Sequence, residues 1–525
     1  MPDPTRPAAG TASSGPRRTA LTPAQRRSAR EALSAISPVA DELGRRFARN
    51  GQELALVGGP VRDIFLRRPH ADLDLATDAP PDRVLEITAG WADATWAVGI
   101  AFGTIGMRKG DVLLEITTYR SEAYDRTSRK PDVTYGTSLT EDLSRRDFTV
   151  NAMAARLPGH ELVDPFGGLD DLRDNILRTP RRPEDSFDDD PLRILRAARF
   201  VAELGLRPDA GVRKAMSQLA GRLEIVSRER IAAELEKLLL ASRPGGPSAG
   251  IDLLVETAVA DHFLPEVPRL RLEVDEHHRH KDVYRHSLTV LDQVIALEQR
   301  YGLDRDLRLR LAALLHDIGK PKTRTMLPGG KVAFHHHDVV GAKLARARLK
   351  ELRFAGDVTA DVAKLIELHL RFHGFGTGEW TDSAVRRYVT DAGPLLPRLH
   401  ALTRADCTTR NKAKAQRLAE HYDALERRIA ELTDAEELAR LRPDLDGHEI
   451  MSLLGIGPGP LVGRAYKHLL ELRIEHGPLG RDRAVQELLR WARESGVEVA
   501  DADGADGAGG SAGGDESTGP AAPGA

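Results

Sequence analysis

The chain has 525 residues, of which 41% are hydrophobic and 30% charged, with a formal net charge of −3. That balance excludes a uniformly basic, histone-like binder but not a local basic cleft, and the single cysteine, Cys407, excludes an intramolecular disulfide framework. No apolar run is long enough for a membrane-spanning helix and the N-terminus has no apolar signal core, so a cytoplasmic protein of three or four domains without a membrane partner is expected.

Both ends read as disordered tails. Residues 1–24 are rich in Pro, Ala, Ser, Thr and Arg, and residues 498–525 are Gly/Ala-rich and acidic, so neither can bury enough surface to offset its ordering entropy. The acidic tail from Glu498 carries −6 and the first 30 residues +5, which leaves −2 for the chain between them.

Between the tails the texture changes once. Residues 53–120 mix short strand-like runs with turns: LALV, DLDLAT, FGTIGM and DVLLEITTYR. From about residue 140 the patterns are helical, as in RILRAARFVAEL, RERIAAELEKLLL, YRHSLTVLDQVIALEQR and LRLRLAALLHDIG. The stretches 243–250 and 442–449 read as turns or short linkers. The expected class is α+β, a small mixed head followed by a long helical body.

The segment from Leu56 to Asp78, LVGGPVRDIFLRRPHADLDLATD, carries the most chemistry. A strand ends at Val57, and Gly58-Gly59 lets backbone approach a phosphate before a helix opens near Pro60. Arg62 in the first turn can grip a triphosphate. Asp72 and Asp74 alternate with Leu73 and Leu75 along a strand, so both carboxylates share one face. Two carboxylates side by side repel unless a cation sits between them, and Mg²⁺, a hard cation that takes carboxylates and phosphates together, is the natural choice. Glu115, flanked by Leu114 and Ile116, is the best candidate for a third carboxylate in a two-metal clamp.

LVGGPVRD…DLDLAT resembles the nucleotidyltransferase signature of class II tRNA CCA-adding enzymes and bacterial poly(A) polymerases, whose head is polymerase-beta-like. The resemblance continues through RRDFTVNAMA (145–154), read from its residues as a basic pair at a helix start with Phe148, Val150 and Met153 in the core. In the family this motif holds the nucleotide, and the second arginine, Arg146, binds the triphosphate. DPFGGLDDL (164–172) resembles the turn that links head and neck, and a Gly-Gly turn with an Asx cap describes it as well. FDDDPLRILRAARF (187–200) places Arg193, Arg196 and Arg199 on one broad helix face, and with Asp190 they are the expected nucleotide-binding residues of this segment. It matches the family's templating motif, an acid pair followed by an arginine, with Asp189-Asp190 where Glu-Asp is usual. Cytosine and adenine present an amine donor beside a ring-nitrogen acceptor, and uracil and guanine reverse that pattern. A carboxylate acceptor at Asp190 beside a guanidinium donor at Arg193 would therefore accept C and A. RERIAAELEKLL (228–239) resembles the next helix of the family and is assigned no chemistry.

Further on, His286, His316-Asp317, His337, His369 and Asp406 form an ordered series at helix faces and ends. The series resembles the HD superfamily of metal-dependent phosphohydrolases. The resemblance implies a basic quartet of His286, His316, Asp317 and Asp406, with His337 and His369 added for a two-metal site and His373 as a substitute. Imidazole with carboxylate suits Mn, Fe, Ni or Co.

The resemblance covers about residues 30–475. It implies a head at 30–175, a neck at 176–265 that binds nucleobase and RNA, an HD domain at 275–410 and a C-terminal helical segment at 411–497. It implies a Mg²⁺-dependent enzyme that adds C, C and A to tRNA 3′ ends from CTP and ATP without a nucleic-acid template. Poly(A) addition is the runner-up, although VGIAFGTIGM (98–107) lacks the arginine pair usual in bacterial poly(A) polymerases. CC-only addition, A-only addition and an HD-type phosphohydrolase as the main activity remain open, as does oligomeric state.

Overall fold

The structure is a computed structural model that describes residues 22–497, apart from 35, 70–71, 98, 101–102, 121–134, 273–281, 329–330, 372–380, 408–411 and 437–441. Most of both expected tails, and His373, lie outside the described residues. The first helix, Pro23–Leu33, starts inside the segment read as tail, because Thr22 and Gln25 form a reciprocal capping box and Pro23 suits the first turn.

The chain forms two compact units. One comprises residues 1–370 with 397–410, and the other 371–396 with 411–525. The second unit thus takes its first helix, Asp382–Ala392, from within the segment expected to be HD domain.

The head of the first unit is a seven-stranded sheet. Its strands are β1 (Leu54–Val57), β2 (Asp72–Thr77), β3 (Ala94–Trp96), β4 (Thr104–Lys109), β5 (Val112–Thr118), β6 (Ala154–Leu157) and β7 (Glu161–Val163), in the order β3-β4-β5-β2-β1-β6-β7. Strands β6 and β7 are a correction to the reading that everything after residue 140 is helical. Ala154–Leu157 is short and pairs with β1, an interaction 100 residues away in the chain that local periodicity does not report. A hairpin of Arg324–Leu327 and Lys331–Phe334 in the body is a second correction.

Register decides what each face does. Side chains alternate along a strand, so residues paired across strands form rows that point one way. Leu56, Leu75, Ile116 and Ile105 form one such row, and all are at most 1% exposed. Burying side chains of this size stabilises by about 1.5–3 kcal/mol each. Helices Pro38–Arg49 and Pro81–Thr88 pack on the sheet and bury Leu43, Phe47, Val84 and Ile87. The neighbouring row, Asp74, Glu115, Gly106 and Trp96, points the other way.

After the head, helices Leu192–Leu204, Arg228–Leu239 and Gly246–Glu256 pack together. The last of these begins within the expected 243–250 linker, so only its first residues are a turn. The fully buried Arg310, on helix Leu307–Leu315, donates to Glu298 at 2.7 and 2.6 Å and to the carbonyls of Leu239 and Ala241. The HD portion is thereby joined to the end of the helix Arg228–Leu239. The second unit has its own core of Leu445, Ile450, Leu454, Ala465, Leu469, Ala484, Leu488 and Ala492.

Truncating one partner of a buried ion pair leaves the other charge uncompensated. Arg310→Ala should therefore lower stability by about 3–5 kcal/mol, measured as a loss in chemical or thermal denaturation of the full chain.

Candidate active site and metal centre

The carboxylates meet as the alternation predicts. Strands β2 and β5 run parallel with Asp74 opposite Glu115, and Asp72 lies two residues before Asp74 on the same face. All three residues are exposed. Among the described residues no ion pair reaches any of them. Asp74 titrates above the ordinary carboxylate range, first because of desolvation, with Glu115 and Asp72 adding and Arg146 opposing. The residue still keeps an open side to solvent. Three uncompensated carboxylates on an open face have the charge and hardness that a divalent cation such as Mg²⁺ requires.

The Gly-Gly turn sits at the end of β1. Gly58 has φ 75°, and a Cβ there would lie 2.8 Å from Nη1 of Arg146, so glycine is needed for both the backbone and that close approach. The helix Gly59–Phe65 follows, with Pro60 in its first turn. Arg146 lies 3.4 Å from Asp142, and its buried Nε finds no hydrogen-bond partner among the described residues. The pair Arg145-Arg146 follows the helix Leu139–Ser144 and caps its end, a correction to the expected helix start. Arg62 donates to both oxygens of Asp63 and, at 2.7 Å, to Oδ1 of Asn151.

Asp147 is the hub that the sequence reading missed. Its Oδ2 accepts from Nε and Nη2 of Arg196 at 2.9 and 2.5 Å, and its Oδ1 from Nδ2 of Asn151 at 3.0 Å. Burial alone would raise its pKa, but Arg196, Asn151 and Arg193 outweigh burial and bring it down to about 2. A continuous chain of bonds thus runs from Arg62 through Asn151 and Asp147 to Arg196 on the helix Leu192–Leu204.

That helix presents the expected arginines, each held differently. Arg193 donates to Oγ of Ser186 at 2.8 Å and to the carbonyl of Arg145. Arg199 lies 3.2 Å from the buried Glu234. Asp190 is approached by Arg230 at 3.4 Å to each oxygen, and Asp189 pairs with Arg181. Among the described residues no ion pair joins Asp190 to Arg193. Arg230 and Glu234 both lie on the helix that was assigned no chemistry. Their signal was a glutamate on the otherwise apolar buried side of an amphipathic helix, one turn after an arginine. The Asx cap is present: Asp164 accepts from Gly168 and Leu169 at 2.7 and 2.9 Å.

All six HD donors converge within the first unit. His286, His316 and Asp406 form one group and Asp317, His337 and His369 another, each with its ligand atoms within 4.8 Å of one another. They come from five places: helix Val283–Leu297, the end of Leu307–Leu315, the start of His337–Glu351, the end of Gly356–Leu368, and the last residue of Leu396–Asp406. Nδ1 of His316, His337 and His369 lies 2.8, 2.8 and 2.6 Å from the carbonyl three residues earlier. A carbonyl only accepts, so each Nδ1 carries the proton and each Nε2 faces inward as a lone-pair donor. Among the described residues the buried Nε2 of His369 has no hydrogen-bond partner, and that of His316 faces only the carboxylates of Asp317 and Asp406, at 3.2 and 3.4 Å. Asp317 joins the groups, with Oδ2 3.2 Å from His316 and Oδ1 3.4 Å from His337, while Lys320 donates to Oδ2 at 2.9 Å. Burial opposes charge on His316, but Asp317 and Asp406 overcome it and raise His316 to about 10, so its Nε2 offers a lone pair only where a metal takes the place of that proton. Burial, then His316, pushes His369 down to about 4. Inward imidazole nitrogens converging with two carboxylates fit a divalent transition metal.

A mixed sheet with three carboxylates in register beside a Gly-Gly turn, continued into a helical neck and an HD cluster, defines a metal-type nucleotidyltransferase with an HD domain. The family comparisons agree. Residues 54–178 match the poly A polymerase head domain, 205–270 a probable RNA and SrmB-binding site of polymerase A, and 283–411 the HD domain. An A-adding tRNA nucleotidyltransferase of Deinococcus radiodurans is 34% identical over 84% of this chain and 96% of its own. A CCA-adding enzyme of Anoxybacillus flavithermus is 31% identical over 88% and 96%, and a CC-adding tRNA nucleotidyltransferase of Thermus thermophilus 33% identical over 83% and 93%. The crystal structure of the Bacillus stearothermophilus CCA-adding enzyme with CTP has the same fold, with TM-score 0.57 and 24% identity over 88% of this chain and 99% of that one. The chain belongs to the family of tRNA nucleotidyltransferases and bacterial poly(A) polymerases.

A carboxylate held below its unfolded pKa stabilises the fold above that value, and the contribution is lost as pH falls through the folded one. For Asp147, held at about 2, the loss should fall between about pH 4 and 2 and amount to roughly 2 kcal/mol. Asp147→Asn should lose at least that much at pH 7 and flatten the acid limb of a stability-versus-pH curve.

Proposed function

We propose that this chain adds C, C and A to the 3′ end of tRNA, using CTP and ATP and releasing pyrophosphate. The observation that carries the reading is the row that sets Asp74 beside Glu115, with Asp72 on the same face and the Gly58 turn at its end.

A divalent cation at Asp72, Asp74 and Glu115, Mg²⁺ in this reading, would supply positive charge that acidifies the RNA 3′-hydroxyl and offsets charge on the phosphates. The chain's own residues do the rest. Amides of the turn and of the helix start at Gly59, with Arg62 and Arg146, hold the triphosphate. The 3′-oxygen bonds to the α-phosphorus, and the bond to the β-phosphate oxygen breaks. Asp190 offers an acceptor and Arg193 a donor to the edge of C or A. Arg196 and Arg199, committed to Asp147 and Glu234, position the helix that carries Arg193. The helical neck would grip tRNA by shape and phosphate. The HD donors would hold a transition metal such as Mn, Ni, Co or Fe.

Relatives of comparable identity add A, CC or CCA, so the assay must read sequence. With tRNA lacking its CCA, sequenced 3′ ends should show addition that stops at CCA. A long A tail would select poly(A) addition, and no incorporation would overturn the reading. Asp74→Asn should abolish addition. A carboxyl held above its unfolded pKa favours folding below that pKa and loses the benefit as pH rises, so this variant should melt no lower than the wild type at pH 7.

Arg193→Ala should cut the preference for CTP over UTP by roughly tenfold or more, the equivalent of about 1–3 kcal/mol for one lost pair. An unchanged preference would remove Arg193 from base reading. Purified protein should carry transition metal by elemental analysis, and a His316→Ala, Asp317→Ala double variant should not.

A further inference from the structure

The carboxylate row does not stop at Glu115. On its far side Glu115 pairs with Gly106, and Gly106 with Trp96, so Asp74, Glu115, Gly106 and Trp96 form one line across β2, β5, β4 and β3. Their neighbours Leu75, Ile116 and Ile105 fill the core on the opposite face, so Trp96 stands on the carboxylate face.

The indole leans inward along that line. A Cβ on Gly106 would lie 2.0, 2.4 and 2.8 Å from its Nε1, Cε2 and Cδ1, so only glycine admits the ring there. Trp96 nonetheless remains 38% exposed. With strands about 4.8 Å apart, the ring lies about 5 Å from the strand of Glu115 and about 10 Å from that of Asp74. In the adjacent row on the same face, Asp72 pairs with Leu113 and Leu113 with Arg108. Leu113 is 42% exposed and Arg108 is exposed. The sheet therefore continues past the carboxylates as an open floor that is aromatic, aliphatic and basic.

Direction identifies the occupant. The Gly58 turn and Arg146, which hold the triphosphate in the function proposed above, lie at the β1 side of the carboxylates. An in-line displacement puts the attacking oxygen opposite the leaving pyrophosphate. The attacking hydroxyl must then approach from the β4–β3 side, over Gly106. We infer that Trp96 is the stacking platform for the 3′-terminal nucleoside of the RNA acceptor, with Arg108 beside it for the phosphate that precedes that nucleoside. Every base has a π-face, so one indole can serve an acceptor end whose base changes as addition proceeds.

The inference rests on the functional reading, and the experiment separates the two. Addition of CTP to tRNA lacking its CCA is measured in the wild type, Trp96→Ala and Trp96→Phe, with binding of the same RNA followed by fluorescence anisotropy without nucleotide. Trp96→Ala should raise the KM and Kd for RNA by about tenfold and leave the KM for CTP within about twofold. Trp96→Phe should recover most of the loss. With an acceptor whose 3′-terminal residue is abasic, wild type and Trp96→Ala should become equal, an outcome that a merely structural role would not give. Should Trp96→Ala fail to fold, Gly106→Ala displaces the ring while Trp96 stays in place, and the same RNA-side loss is expected. Equal RNA KM and Kd in wild type and variant, or a change confined to CTP, overturns the stacking role. A wild type that binds RNA but adds nothing overturns the functional reading instead.

Discussion

One buried carboxylate holds the two halves of the head site together. Asp147 is 7% exposed and accepts from Arg196 and Asn151. Through Asn151 it reaches Arg62 beside the Gly-Gly turn, and through Arg196 the helix of Arg193. A charge taken out of water must be paired and hydrogen-bonded or it disfavours the fold. The distance between the Gly-Gly turn and the helix Leu192–Leu204 is therefore set by a group that cannot relax cheaply. Precise placement of two substrates demands such a connection, because small displacements of reacting groups cost large factors in rate.

The two metal-type clusters solve opposite problems. At Asp72, Asp74 and Glu115 the carboxylates stand on an open face with no ion pair among the described residues, an arrangement that suits a cation in exchange with solvent. At the HD cluster His316, Asp317 and His369 are at most 1% exposed, and the histidine rings are locked by carbonyls three residues earlier. A pinned, desolvated donor set suits an ion that stays.

Much of this was legible in the sequence where chemistry and local periodicity coincide. The alternation in DLDLAT put Asp72 and Asp74 on one face, and the same argument at Leu114 and Ile116 put Glu115 with them. The six HD donors were found because their ordered series along the chain resembles that of the HD superfamily. What escaped depends on pairing between distant residues. Arg196 meets Asp147 across 49 residues and Arg230 meets Asp190 across 40, and no spacing rule reports that. Asp147 did leave a trace, as a charge set among Phe148, Val150 and Met153, the core residues of its motif. The last two strands of the head sheet were lost because both are short, and Ala154–Leu157 lies between distant β1 and neighbouring β7.

The parallel pairing of β2 with β5 has a consequence for the emerging chain. Asp74 and Glu115 are neighbours only after β3 and β4 have been made and folded back, because β5 reaches β2 over that intervening hairpin. Closing such a non-local pair is slow compared with forming local helices. A nascent polypeptide therefore carries Asp72, Asp74 and the Gly58 turn well before Glu115 can join them. The three carboxylates can share one cation only once the sheet has closed, so the order in which the chain folds decides when that cluster exists at all.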